Sequence, residues 1–124
     1  MNADCLIDVI IPVKERYELL LNALNSVDKQ TLKPNKVWII DDCSSEKIEK
    51  FPKYSFNIEI IRNTTNKGPS YSCNLGVKKS NAKYIAILET DDIWKTDKLY
   101  RQYELAKKND LDFVYCNYTI NKKK

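Results

Sequence analysis

Three acids, Glu89, Asp91 and Asp92, fall within four residues directly after the apolar run at residues 84–88. Carboxylates this close repel one another unless a cation, a donor or open solvent compensates. Magnesium and manganese suit such a place. They take one or two carboxylates and complete their shells with water and a substrate's phosphate oxygens. The same residues also fit an acidic turn with an Asp cap, a common loop feature. A second acidic pair, Asp41-Asp42, closes the run at residues 36–41. A charged segment, Lys14-Glu15-Arg16, follows the run at residues 6–13.

These groups act together only if the chain carries them to one place. The pattern alternates strand and helix. Residues 6–13 (LIDVIIPV) are β-branched and read as a strand; residues 17–29 read as a helix with Leu20, Ala23, Leu24 and Val27 on one face. Residues 36–41 and 58–62 read as further strands, with a short helix expected at 46–51 between them and a polar loop at 63–67. Gly68-Pro69 opens a second helix running to about Ser80, with Gly68 as N-cap and Pro69 in the first helical position. Residues 84–88 form a fourth strand. Thr96 is expected to cap a helix through about Asn109, with Leu99, Tyr103 and Ala106 inward, and residues 112–118 to form a fifth strand.

Strands alternating with helices imply a mostly parallel sheet covered on both faces, a three-layer α/β/α, Rossmann-like arrangement. Ligands of such sheets bind beyond the carboxyl ends of the strands. Strands one, two and four all end in charged residues, so a parallel sheet gathers two acidic clusters and a basic one at a common crevice.

Composition bounds the chemistry. The 124 residues suit one domain, taken as 1–124, and 43% hydrophobic residues can fill a core. There is no histidine, which removes His bases, His metal ligands and Ser-His or Cys-His nucleophile pairs. Cys5, Cys43, Cys73 and Cys116 form no C-x-x-C pair and read as small buried residues in a reducing compartment. The net charge of +4 is uneven: residues 63–124 carry 12 basic and 7 acidic side chains, against 9 and 10 in residues 1–62. That tilt fits a lysine-rich solvated surface, an anionic ligand or an anionic membrane surface. Lys122-Lys123-Lys124 invites the same choice, with a disordered terminus the ordinary outcome. No stretch approaches the roughly 20 apolar residues that span a bilayer, and the N-terminus does not read as a signal peptide. A cytoplasmic protein, peripheral at most on the inner face of a membrane, is expected. Neither G-x-G-x-x-G nor G-x-x-x-x-G-K-[ST] is present, and nothing points to a nucleic acid.

Four segments, in order, resemble the N-terminal, nucleotide-binding half of family 2 glycosyltransferases of the GT-A fold. Asp8-Val9-Ile10-Ile11-Pro12-Val13 resembles V-I-I-P-x-Y-N. Gln30-Thr31 and then Val37-Trp38-Ile39-Ile40-Asp41-Asp42-Cys43-Ser44 resemble Q-T…E-V-I-V-V-D-D-x-S. Asn66-Lys67-Gly68 through Asn74-Leu75-Gly76 resembles N-x-G-x-x-x-A-R-N-x-G. The stretch from Tyr84 through Asp91-Asp92-Ile93-Trp94 to Asp97-Lys98-Leu99 resembles Y-I-A-F-L-D-x-D-D-x-W-x-P-D-K-L.

The resemblance implies a specific activity. Such enzymes bind a nucleoside-diphosphate sugar, a UDP-sugar being the first expectation, with Mn2+ or Mg2+. They transfer the sugar, with inversion, to a hydroxyl of a saccharide or lipid-linked acceptor in cell-envelope polysaccharide synthesis. By the same likeness the donor-binding residues are Pro12, Val13, Lys14, Glu15, Asp42, Asn66, Lys67, Gly68, Asn74 and Asp91. Asp42 matches the acid that contacts the base, Asp91 an acid near the ribose, and Asp92, with Asp91, the metal-reaching acids. Asp41 is expected to be structural. The chain departs from the pattern at Lys14-Glu15 for Tyr-Asn, Ser72-Cys73 for Ala-Arg, Glu89 for Asp and Thr96 for Pro. The family's acceptor half and catalytic base have no counterpart in these residues, so no catalytic residue is assigned and the GT-A domain is expected to be incomplete.

Two other readings stay open. One is a non-catalytic nucleotide-sugar-binding or oligomerisation module, with apolar surface exposed where an acceptor half would dock. The other, a nucleotidyltransferase, wants glycines after strand one, where residues 13–16 have none. Trp38 and Trp94 read as packing residues, as do Tyr100, Tyr103, Tyr115 and Tyr118.

Overall fold

A computed structural model of the chain describes residues 6–120. In order these form β1 (Ile7–Val13), α1 (Tyr17–Asp28), β2 (Lys36–Asp41), β3 (Asn57–Arg62), α2 (Pro69–Lys79), β4 (Tyr84–Ile87) and α3 (Lys98–Asn109). The four strands make one parallel sheet in the order β3-β2-β1-β4. β1 lies inside it, and its run of β-branched residues is buried on both faces, as parallel sheets require.

The alternation of β1 sorts the two faces. Ile7, Val9, Ile11 and Val13 join Val37 and Ile39 of β2, the apolar stripe of α1 and Leu99 of α3 in one core. Ile10 points the other way, onto α2. There Gly76 lets the helix approach so closely that a Cβ would sit 2.8 Å from Ile10 Cγ2. With α1 and α3 on one face and α2 on the other, the layers are α/β/α, as the alternation of strands and helices implies.

The chain runs β1, β2, β3 to one edge, then crosses back through α2 to β4 on the far side of β1. The crevice between the carboxyl ends of β1 and β4 is therefore the switch point where open α/β sheets bind ligands.

Five expectations need correction. Residues 112–120 form no strand. Their composition suits one, but a strand exists only with a ladder partner, and this segment pairs with none of the four. No helix forms at 46–51; Pro52 disfavours helical backbone at Phe51, and buried Ile48 anchors the loop instead. α3 starts at Lys98 with Asp97 as N-cap, and no side chain caps it. Thr96 contributes its carbonyl, which accepts from Thr31 N–H at 2.9 Å. Cys43 and Cys73 are only half-buried and Cys116 is exposed; Cys5 and Lys122–Lys124 lie outside the described residues. Tyr100, Tyr115 and Tyr118 are exposed, whereas Tyr103 packs edge-on against Tyr84, ring centres 5.9 Å apart. Trp38 is half-buried, its Nε1 donating to the buried Asp8 carboxylate at 2.9 Å. Trp94 does pack under α3, with Lys98 Nζ 4.6 Å from its ring centre.

Candidate functional site

A crevice of about 630 Å³ opens at the switch point. Pro12 to Arg16 form one wall, Glu89 to Asp91 the opposite one, and Asp42, Asn66, Gly68, Pro69 and Ser72 complete it. The sheet ladder runs straight into these walls. Asp42 N–H donates to Val13 O at 2.8 Å, Asn63 N–H to Asp41 O at 2.8 Å and Leu88 N–H to Ile10 O at 2.9 Å. The loops therefore start from fixed points.

The two adjacent aspartates divide their work. Asp41 is 1% exposed and pairs with Arg62 at 2.7 Å, while its other oxygen accepts Ser44 N–H at 3.0 Å. It closes the turn after β2 and does not line the crevice. Asp42 does line it. Its Oδ1 accepts Asn63 Nδ2 at 2.9 Å and Lys67 N–H at 2.7 Å, and its Oδ2 accepts Gly68 N–H at 2.9 Å. Burial pushes this carboxyl up. The bonds from Lys67, Asn63 and Gly68 and the charge of Lys14 outweigh burial and hold it below its ordinary range. Gly68 sits at φ +91, where a side chain would be strained. The negative charge of Asp42 thus rests at the start of α2, where the helix dipole favours it.

The β1 and β2 loops clasp each other. Glu15 N–H donates to Ser44 Oγ at 2.7 Å, and the Glu15 carboxylate accepts Ser45 N–H at 2.9 Å and Ser45 Oγ at 2.8 Å. The Ser45 backbone N–H, then its hydroxyl, hold the Glu15 carboxyl below its usual range. Glu15, Arg16 and Cys43 all take left-handed backbone, φ 65, 23 and 63. Non-glycine residues reach this region at a cost that the clasp must offset.

Across the crevice, Glu89, Asp91 and Asp92 are exposed and offer carboxylate oxygens within 4.8 Å of one another. This hard, all-oxygen donor set with open solvent beside it fits Mg2+ or Mn2+, ions that retain positions for water and phosphate. The loop that bears the acids is tied down from beneath. Gln30, 1% exposed at the end of α1, donates to Lys95 O at 2.6 Å, and its Oε1 accepts Leu99 N–H at 3.0 Å. Gln30 and Thr31 therefore fix the stretch between the acids and α3. Cys73, near Glu89, stays a thiol: burial pushes its pKa up and the Glu89 charge adds to it.

Of the residues expected at the site, Pro12, Val13, Lys14, Glu15, Asp42, Asn66, Gly68 and Asp91 line the crevice, and Asp92 belongs to the adjoining acidic cluster. Asn74 is exposed on α2 and does not line it. Lys67 contributes its N–H to Asp42 while its ammonium lies over the Tyr71 ring, 5.6 Å from the centre. Sequence reasoning missed Asn63, Ser72 and Gln30 as organisers. Gln30-Thr31 was visible as a motif without a physical role; the buried position of Ser72 follows only from the close packing of α2.

The family model "Glycosyl transferase family 2" matches residues 8–124. The Escherichia coli UDP-Glc:alpha-D-GlcNAc-diphosphoundecaprenol beta-1,3-glucosyltransferase WfgD is 32% identical over 94% of this chain and 47% of its own length. Among solved structures, Staphylococcus aureus TarS 1-349 in complex with UDP superposes with a TM-score of 0.72 at 20% identity, over 84% of this chain and 32% of that one. The mannosyltransferase PcManGT from Pyrobaculum calidifontis, in complex with GDP-Man and Mn2+, gives 0.68 at 15% identity, over 82% and 32%. The chain spans only 17% to 48% of the length of the curated relatives it matches.

Proposed function

The chain belongs to glycosyl transferase family 2, and from that premise we propose that its crevice binds a nucleoside-diphosphate sugar together with a divalent ion, as the donor half of a cell-envelope glycosyltransferase. One observation carries the reading: the start of α2, where many α/β folds seat a pyrophosphate, is already filled by the Asp42 carboxylate. A diphosphate must find its positive charge elsewhere, and the acidic cluster across the crevice is where a cation would supply it.

Glu89, Asp91 and Asp92 would hold Mn2+ or Mg2+, which when bound neutralises the diphosphate and eases its departure. Asp42 meets the base and Asp91 the ribose. Pro12, Val13, Lys14 and Glu15 form the wall the nucleotide lies along. The acceptor is a saccharide or lipid-linked hydroxyl, and the base for inverting transfer belongs to the portion of the relatives' length that this chain does not span. WfgD, whose name gives a UDP-sugar donor and a diphosphoundecaprenol acceptor, and the UDP-bound and GDP-Man-bound structures favour this reading. Among the described residues no helix is long and apolar enough to cross a membrane, which is compatible with a cytoplasmic site of action, peripheral on the inner face.

Calorimetry with UDP- and GDP-sugars, with and without Mn2+, tests the proposal. Metal-dependent binding that Asp91→Ala and Asp92→Ala abolish is expected. Absence of binding, or binding indifferent to both changes, would sink it.

A further inference from the structure

We propose that Lys14 is a specificity-determining residue: together with Asp42 it selects a nucleobase that presents an N–H beside a carbonyl, uracil or guanine, over cytosine or adenine. The inference rests on the donor-binding reading above and goes on to the choice of base.

No aromatic side chain lines the crevice among the described residues. Stacking on a ring would be indifferent to the identity of the base, since every base has a π-face. Without it, recognition falls to the polar edge of the base. The polar groups at the β1–β2 end are arranged asymmetrically. Asp42 has two donors on Oδ1 and one, Gly68 N–H, on Oδ2, which leaves Oδ2 able to accept another. An ionised carboxylate can only accept.

Lys14 is the complementary group. Its ammonium can only donate, and among the described residues its hydrogen bond is a long contact of 3.4 Å to Cys43 O. That carbonyl belongs to the residue after Asp42, so the ammonium stands beside the carboxylate and its charge helps keep Asp42 ionised. The side chain is exposed and free to adjust, but its backbone is pinned. Val13 O holds Asp42 N–H on one side, and the Glu15–Ser45 clasp holds the other.

An acceptor next to a donor reads a donor next to an acceptor. Uracil offers N3–H flanked by carbonyls, and guanine offers N1–H beside O6. With the base held in one register by the shared ribose and diphosphate, cytosine and adenine place a bare ring nitrogen where uracil and guanine place an N–H, and an amino group where those place a carbonyl. They would set a lone pair against Asp42 and an N–H against Lys14. A site built around such a pairing discriminates strongly, because the wrong partner leaves its own polar groups unpaired.

Calorimetry of this chain with UDP, GDP, CDP and ADP at saturating Mn2+ isolates the base, since ribose and diphosphate are shared. UDP, GDP or both should bind at least about tenfold tighter than CDP and ADP. Lys14→Met should weaken the preferred nucleotide about tenfold and leave CDP and ADP nearly unchanged. Lys14→Arg, which keeps a donor, should restore the preference, and Lys79→Gln, an exposed lysine at the end of α2 outside the crevice, should not alter it. Equal affinity for all four nucleotides, or a preference that survives Lys14→Met, overturns the assignment while donor binding stands. No binding of any of the four overturns both.

Discussion

The Asp42 carboxylate accepts the backbone N–H of Gly68 at 2.9 Å, so the end of β2 holds the start of α2 across a 26-residue separation. With the bonds from Lys67 and Asn63, one side chain organises the whole rear of the crevice. Asp42→Ala should therefore leave three donors without their partner and cost about 2–4 kcal/mol in urea unfolding, since bonds to charged groups contribute more than neutral ones. Hydrogen exchange at Lys67 and Gly68 should accelerate more than at β1. Unchanged exchange there would remove the latch role.

Acid should expose the same latch. The folded pKa of Asp42 lies below its ordinary 3.8, so its contribution is complete above about pH 4 and is lost as pH falls through the depressed folded value. The stability difference between the unaltered chain and Asp42→Asn should thus be widest above about pH 4 and shrink below it. Glu15 and Asp28 are depressed in the same direction, but Glu15 is exposed and Asp28 only half-buried, so solvent screens both. A difference that grows on acidification would contradict the sign.

Gln30 predicts a coupling between core and site. Its amide bonds Ser26 O of α1 and also Lys95 O and Leu99 N–H, the last two in the stretch that follows the acids. Gln30→Ala should destabilise the fold by about 2–4 kcal/mol, from three lost bonds and buried groups left unpaired. In protein that remains folded it should also weaken Mn2+ binding, because the acid-bearing loop loses its floor. Gln30→Ala with full stability would show those groups find water instead.

Much of this was legible in the residues. The β-branched runs at β1 and β2, the Gly68-Pro69 start of α2 and the acids after β4 sit where their types and spacing put them. What failed has a common cause. The helix at 46–51 aside, which Pro52 opposes locally, a strand at 112–118 needs a ladder neighbour, and Tyr115 and Tyr118 need a surface to pack on. None of these is written in the local sequence. The site divides the same way. Charged residues at strand ends announce themselves, whereas Asn63 and Gln30 act through neighbours 21 and 69 positions away.

The approach of α2 to the sheet gives a sharp packing test. A methyl at position 76 would fall 2.8 Å from Ile10 Cγ2 and 2.9 Å from Ile10 Cδ1. The better helix propensity of alanine, worth about 1 kcal/mol, should lose to overpacking of about 1–3 kcal/mol. Gly76→Ala should lower the melting temperature, and Ile10→Val, which removes Cδ1, should recover part of the loss in a double-mutant cycle. Strict additivity of the two changes would mean that the helix shifts instead.

Glu89, Asp91 and Asp92 are exposed, and exposed carboxylates alone hold Mn2+ weakly because solvent screens them. A diphosphate supplies further oxygens and charge, so the two should bind cooperatively. By linkage, the factor by which Mn2+ raises UDP affinity must equal the factor by which UDP raises Mn2+ affinity. Electron paramagnetic resonance of free Mn2+, titrated with and without UDP, measures one side, and calorimetry measures the other. Asp92→Asn should reduce both factors together toward unity while leaving metal-free UDP binding unchanged or stronger, since it removes a negative charge facing the phosphates. A variant that loses metal-free UDP binding as well would place Asp92 on the nucleotide instead of the ion.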